Sequence, residues 1–256
     1  MNGLIRFILH LTPYLYATSI FNVSSGLPSD KLAAAFDNTR LTNSYDPSAT
    51  YQGTAIVEVW IGEEPVNVGD VWGSALYHTV ESALRSICND NDNGQCSASK
   101  GVQYASFGTA YLAGRNQVKS SERTQTLASL TVEGASYKDA LTRNILIAII
   151  ARTLQATVQN EGQNCYWENN IRFCNVGSLI RVNMHENGVK NYLHVRLHSE
   201  QAAKGGFACC DTLGSVDSGV NMFGARVESV YGRYSRDVRC ITEGFKMCAG
   251  RVAGDG

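Results

Sequence analysis

The sequence predicts an α+β fold, a two-layer α/β sandwich in which an antiparallel sheet carries two helices on one face. Three observations support it. A strand, a helix, a cysteine-bracketed loop and a further strand follow one another twice, offset by roughly 70 residues, so the core reads as two βα-type half repeats. Side chains between residues 178 and 198 alternate about an Asn-Gly pair, the signature of a tight antiparallel hairpin. Four of the eight cysteines follow residue 199 and mark a disulfide-rich C-terminal extension.

The chain begins with a leader. MNGLIRFILHLTPYLYATSIF has one early cation, Arg6, and then an apolar run from Phe7 to Tyr16. Ala17 and Ser19 stand where export machinery cleaves, so residues 1–19 read as a signal peptide and the protein as secreted. Asn22-Val23-Ser24 makes Asn22 a glycosylation candidate. Residues 20–50 are rich in Ser, Asp, Asn and Thr without periodicity and read as a mobile N-terminal segment. The longest later apolar run, ILIAIIA at 145–151, falls far short of the roughly 20 residues that span a bilayer.

Residues 51–198 form the expected core. TAIVEVWIG (54–62) alternates Val57, Val59 and Ile61 against Glu58 and predicts a strand. In VGDVWGSALYHTVESALRSI, Asp70 is a candidate N-cap, with Trp72, Leu76, Val80, Leu84 and Ile87 at helical spacing. A β-rich stretch (101–114) and a strand (126–134, Leu130 and Val132 inward) follow. Residues 136–160 predict a helix apolar nearly all round its middle, hence deeply packed. In the hairpin, a two-residue turn at Asn187-Gly188 pairs Met184 with Asn191, Val182 with Leu193 and Ile180 with Val195. The extension, 199–256, is rich in Gly and Ser, with strand-like runs at 220–231.

The cysteine loops divide two chemistries. CNDNDNGQC has the look of a calcium loop. Counted from Asn89, however, its first position lacks a carboxylate and its twelfth is Lys100, where a bidentate acid is required. Zinc and thioredoxin-type sites want two residues between cysteines, and Cys88 and Cys96 have seven. Both Cys88–Cys96 and Cys165–Cys174 therefore read as local disulfides, each stabilising by roughly 2–3 kcal/mol. Cys209 and Cys210, as adjacent residues, are expected to bond Cys240 and Cys248. The alternative is eight free thiols in a reducing compartment.

A net charge of −1 argues against a nucleic-acid binder. No H-E-x-x-H, Gly-x-Ser-x-Gly or Walker loop occurs, so no metal and no cofactor is expected. One constellation has catalytic residue types. The hairpin's second face carries Arg181, Asn183 and His185 opposite Tyr192, His194, Arg196 and His198, with Glu58 and Glu133 on the non-core faces of their strands. Guanyl-type ribonucleases use such a face: a carboxylate takes the 2′-OH proton, a histidine protonates the leaving group and arginine stabilises the phosphorane. A plain solvated sheet face is the alternative. His78 reads as a helix-surface residue.

With its leader, its cysteine staples and two βα halves on an antiparallel sheet, the stretch 51–198 resembles the fungal killer toxins, both the salt-mediated toxin of yeast and those of smut fungi. The resemblance implies an α/β sandwich acting on the surface or membrane of a target cell without a catalytic centre, and with no nucleic acid as partner. The sequence departs from that family in having no Lys-Arg or Arg-Arg pair for dibasic processing. A secreted ribonuclease, with His194, Arg181, Arg196, Glu58 and Glu133 as its array, is the second expectation. A non-toxic structural or inhibitory extracellular protein is the third.

Overall fold

Strand β1 (Thr54–Gly62) buries Ala55, Val57, Val59 and Ile61 and turns Ile56, Glu58 and Trp60 the other way, the period-two pattern of a strand with one face on the core. The computed structural model describes residues 54–88, 96, 104–112, 123–159, 164–186, 188–241 and 248. The leader, the 20–50 segment and Asn22 lie outside the described residues, as does Asn187 of the hairpin turn.

The main sheet has six strands. They are β1, β3 (Tyr104–Leu112), β4 (Arg123–Ser136), β7 (Leu179–Glu186), β8 (Val189–Ser199) and β9 (Arg233–Ile241), in the order β3-β4-β8-β7-β1-β9. All neighbours are antiparallel except β1 and β9, which run parallel at one edge. The hairpin has the register its alternation requires: Met184 faces Asn191, Val182 faces Leu193 and Ile180 faces Val195. Gly188 adopts φ +80°, the left-handed backbone that the turn demands and that only Gly takes without strain.

One face of this sheet is the core. Val59, Val182, Leu193, Val195, Val132, Leu130 and Val238 are all at most 5 % exposed. Helices α1 (Gly73–Ile87), α2 (Ala140–Thr157) and α3 (Cys209–Asn221) lie side by side over it. The first contacts β3 and β4, the second β7 and β8, and the third β9. α2 has Leu141 through Ala151 buried without interruption. It has no wet face because it lies between two other helices and the sheet. Asp139 caps it, accepting from the Thr142 amide at 2.7 Å.

α1 differs from expectation at its start. Its N-cap is Trp72, with no side-chain cap, rather than Asp70. The cause lies upstream: the Val68 amide donates to Cys174 O (2.9 Å), Gly69 O accepts from the Cys174 amide (3.0 Å), and the Val71 amide closes a separate turn on Val68 O (3.2 Å), so Asp70 sits inside that turn and not at the start of the helix. Trp72 is accordingly 36 % exposed, its ring against the Arg172 guanidinium at 4.5 Å.

A second sheet of three strands, in the order β2 (Pro65–Asn67), β6 (Ile171–Gly177), β5 (Cys165–Glu168), closes one end of the core. The sheets meet at a pair of glycines: a Cβ on Gly177 would lie 2.3 Å from Gly62 O. The tail's expected strand-like runs at 220–231 are instead helical, forming the end of α3 and α4 (Gly224–Tyr231), and the tail adds β9 to the main sheet. In α3 the buried residues Cys209, Leu213, Val216 and Val220 recur at helical spacing, and that period outweighs the poor helix propensity of its Gly and Ser.

The disulfides are Cys88–Cys96, Cys165–Cys174, Cys209–Cys240 and Cys210–Cys248, and no described cysteine is free. Cys165 and Cys174 are directly opposite in the β5–β6 ladder. Cys209–Cys240 ties the start of α3 to β9.

Candidate functional site

With the helices covering one face, the other face of the main sheet gathers the polar side chains. β1 contributes Glu58 and Trp60, β7 contributes Arg181, Asn183 and His185, and β8 contributes Tyr192, His194, Arg196 and His198. Arg181 stands directly opposite His194, as the hairpin register requires. A bulge between Val132 and Gly134 inserts Glu133 as an unpaired extra residue of β4. This places its carboxylate between two arginines of the neighbouring strands.

Two connected groups result. In the first, His185 Nε2 donates to Glu58 Oε2 at 3.2 Å, Asn183 Nδ2 approaches the same oxygen at 3.5 Å, and His194 Nε2 donates to Asn183 Oδ1 at 3.0 Å. A single amide thus joins His194 to Glu58. In the second, Arg196 Nε donates to Glu133 Oε1 at 2.5 Å and Arg181 lies 4.0 Å from Glu133 Oε2. His198 stands apart, opposite Ser129 and four residues from His194, about 13 Å along a strand. His78 is exposed on α1, 4.0 Å from Glu81, in keeping with a surface role.

Electrostatics sets the proton roles. Burial pushes the His194 pKa below its ordinary 6.5; the Arg181 and Lys190 charges push the same way, and Glu133 only partly opposes them. At neutral pH His194 is therefore uncharged. It can accept a proton but is poorly suited to give one, which is the opposite of the leaving-group role a ribonuclease asks of it. Both carboxylates are already engaged, Glu58 by His185 and Glu133 by Arg196.

The sequence reading left out part of this face. Trp60 lies in register with Arg181 on one side and Arg239 of β9 on the other, and Glu58 with Asp237. Asp237 and Arg239 form an ion pair with each other. Their signal was the alternation in RYSRDVRC, which becomes readable only once β9 is placed beside β1. A cleft of about 580 Å³ adjoins the face at Arg196, where Glu63, Glu64 and Ser178 line it.

No family model matches the chain, and neither a curated protein nor a solved structure matches it. The reading of function rests on the residues themselves.

Proposed function

We propose that this is an exported protein of the killer-toxin or effector kind, acting at the surface or membrane of a target cell without a catalytic step. The observation that carries the reading is the cysteine chemistry: all eight cysteines are consumed in four disulfides, the usage of proteins that mature in an oxidising compartment. The leader at residues 1–19 and the sequon at Asn22 agree with export. The polar face supports the non-catalytic part, since Glu133 is held in an ion pair with Arg196, Glu58 is hydrogen-bonded to His185, and its best-placed histidine is neutral at pH 7.

A secreted ribonuclease is the second reading. One observation favours it: Asn183 joins Glu58 and His194 into a single hydrogen-bonded unit beside Arg181. Purified mature protein added in parallel to sensitive cells and to RNA separates the two. Killing without RNA cleavage supports the first reading, and RNA cleavage overturns it.

A further inference from the structure

The two disulfides of the C-terminal segment are neighbours in space. The Sγ atoms of Cys210, Cys240 and Cys248 all lie within 4.8 Å of one another. Cys240 Sγ, bonded to Cys209, is therefore close to both sulfurs of the other bridge. Exposure differs sharply between the bridges. Cys209 and Cys240 are at most 1 % exposed, while Cys210 is open to solvent. Among the described residues, no third cysteine sulfur stands in this way beside Cys88–Cys96 or Cys165–Cys174.

We infer that Cys210–Cys248 is a thiol-exchange site for a low-molecular-weight thiol, and that its opening is relayed to the buried Cys209–Cys240 bridge. The external thiolate attacks Cys210 Sγ, the accessible sulfur. A mixed disulfide forms there, the Cys210–Cys248 bond breaks, and its electron pair leaves as the Cys248 thiolate. Access sets this direction: Cys210 is exposed whereas Cys248 is only half-exposed, so the external thiol meets Cys210 first. The Cys248 thiolate then attacks Cys240 Sγ, makes a Cys240–Cys248 bond and expels Cys209 as thiolate, which takes a proton from water. A second external thiol attacks the mixed disulfide, regenerates Cys210 as a thiol and leaves as the oxidised dimer. In sum, two external thiols are oxidised to one disulfide and one protein disulfide is reduced to two thiols.

The relay changes what the bridges hold. Before it, α3 is tied to β9 and to Cys248 through adjacent residues. After it, the surviving bond joins Cys240 of β9 to Cys248, neither of them on α3, and Cys209 and Cys210 are both free. The helical part of the tail loses its covalent tether to the sheet, although Cys209 itself is deeply buried. The inference rests on sulfur placement and is independent of what the protein does to a cell.

Reduced glutathione added to the native full-length mature protein, followed by N-ethylmaleimide in denaturant and peptide mapping, tests it. Among molecules carrying one glutathione, the adduct is expected on Cys210, maleimide on Cys209, and a new Cys240–Cys248 cross-linked peptide should replace Cys209–Cys240. Maleimide on Cys248 with Cys209–Cys240 intact at all times would overturn the relay. A Cys209→Ser/Cys240→Ser variant removes the second bridge and isolates the first step. It should carry glutathione on Cys210 and maleimide on Cys248, and glutathione on Cys248 would overturn the order of attack. If that variant does not fold, the wild-type mapping still decides.

Discussion

At the scale of single residues, His194 and Gly177 make the sharpest claims. Because the folded protein holds His194 below its ordinary pKa of 6.5, the unfolded chain binds the extra proton first as pH falls. His194 therefore contributes stability that is fully present above 6.5 and is lost as pH falls through the lower folded value. Denaturation midpoints measured from neutral to mildly acidic pH should drop for the native protein, and less steeply for His194→Ala; equal slopes would show that the site is not strained against protonation. The same substitution separates the functional readings. In a nuclease, loss of a proton-transfer group costs about 10²–10⁴-fold in rate, whereas toxin activity should be nearly unchanged. Gly177→Ala is a steric claim. The new Cβ would meet a backbone oxygen, which cannot rotate away, so the β1 and β6 ends must part. A loss of about 1–3 kcal/mol or more is expected in urea titration.

Elements differ in how they are held, and in how readable they were. The β7–β8 hairpin was legible to the residue because its period, its turn pair and its buried face all agree, so register followed by counting. α2 was legible because so long an apolar run admits few other fates. α3 was not, since Gly214, Ser215, Ser218 and Gly219 depress helix propensity, and packing against α2 together with two disulfides supplies what local preference lacks. On the open face, Glu58, Arg181 and His194 could be assigned from strand alternation. The bulge that aims Glu133 at Arg196 could not, because an inserted residue leaves no mark on a period of two. Beside α2 sits an ion pair that tests element packing. Lys138 Nζ donates to Glu186 Oε1 at 2.7 Å, with Glu186 only 4 % exposed at its side chain. Lys138→Met removes the partner of a buried carboxylate. It should cost about 3 kcal/mol in chemical denaturation. A loss below about 0.5 kcal/mol would mean the carboxylate reaches water on its own.

At the scale of the whole molecule, β9 decides how the sheet ends. It pairs with β1 along nine residues, Thr54 to Gly62, and its Val238 and Cys240 extend the core face opposite Val59 and Ile61. Without β9, β1 would become the edge: an apolar strand with its backbone groups unpaired, the kind that recruits a second chain. β9 makes a safer edge because charged Arg233, Asp237 and Arg239 alternate along it and discourage flat pairing. The tail is thus part of the cooperative unit: Cys209–Cys240 ties its helix α3 to its own strand β9, and ladder hydrogen bonds fasten β9 to β1. A chain ending at Gly232, with Cys209→Ser and Cys210→Ser so that no orphan thiol confuses the result, tests this directly. It is expected to elute as aggregate or dimer in size-exclusion chromatography and to lose the single cooperative unfolding transition of the intact protein. Restoring residues 233–241 alone, with Cys240→Ser, should return the monomer, because pairing rather than the disulfide is what occupies the edge of β1. If the shortened chain stays monomeric and unfolds cooperatively, the tail is an appendage and the sheet is complete at five strands.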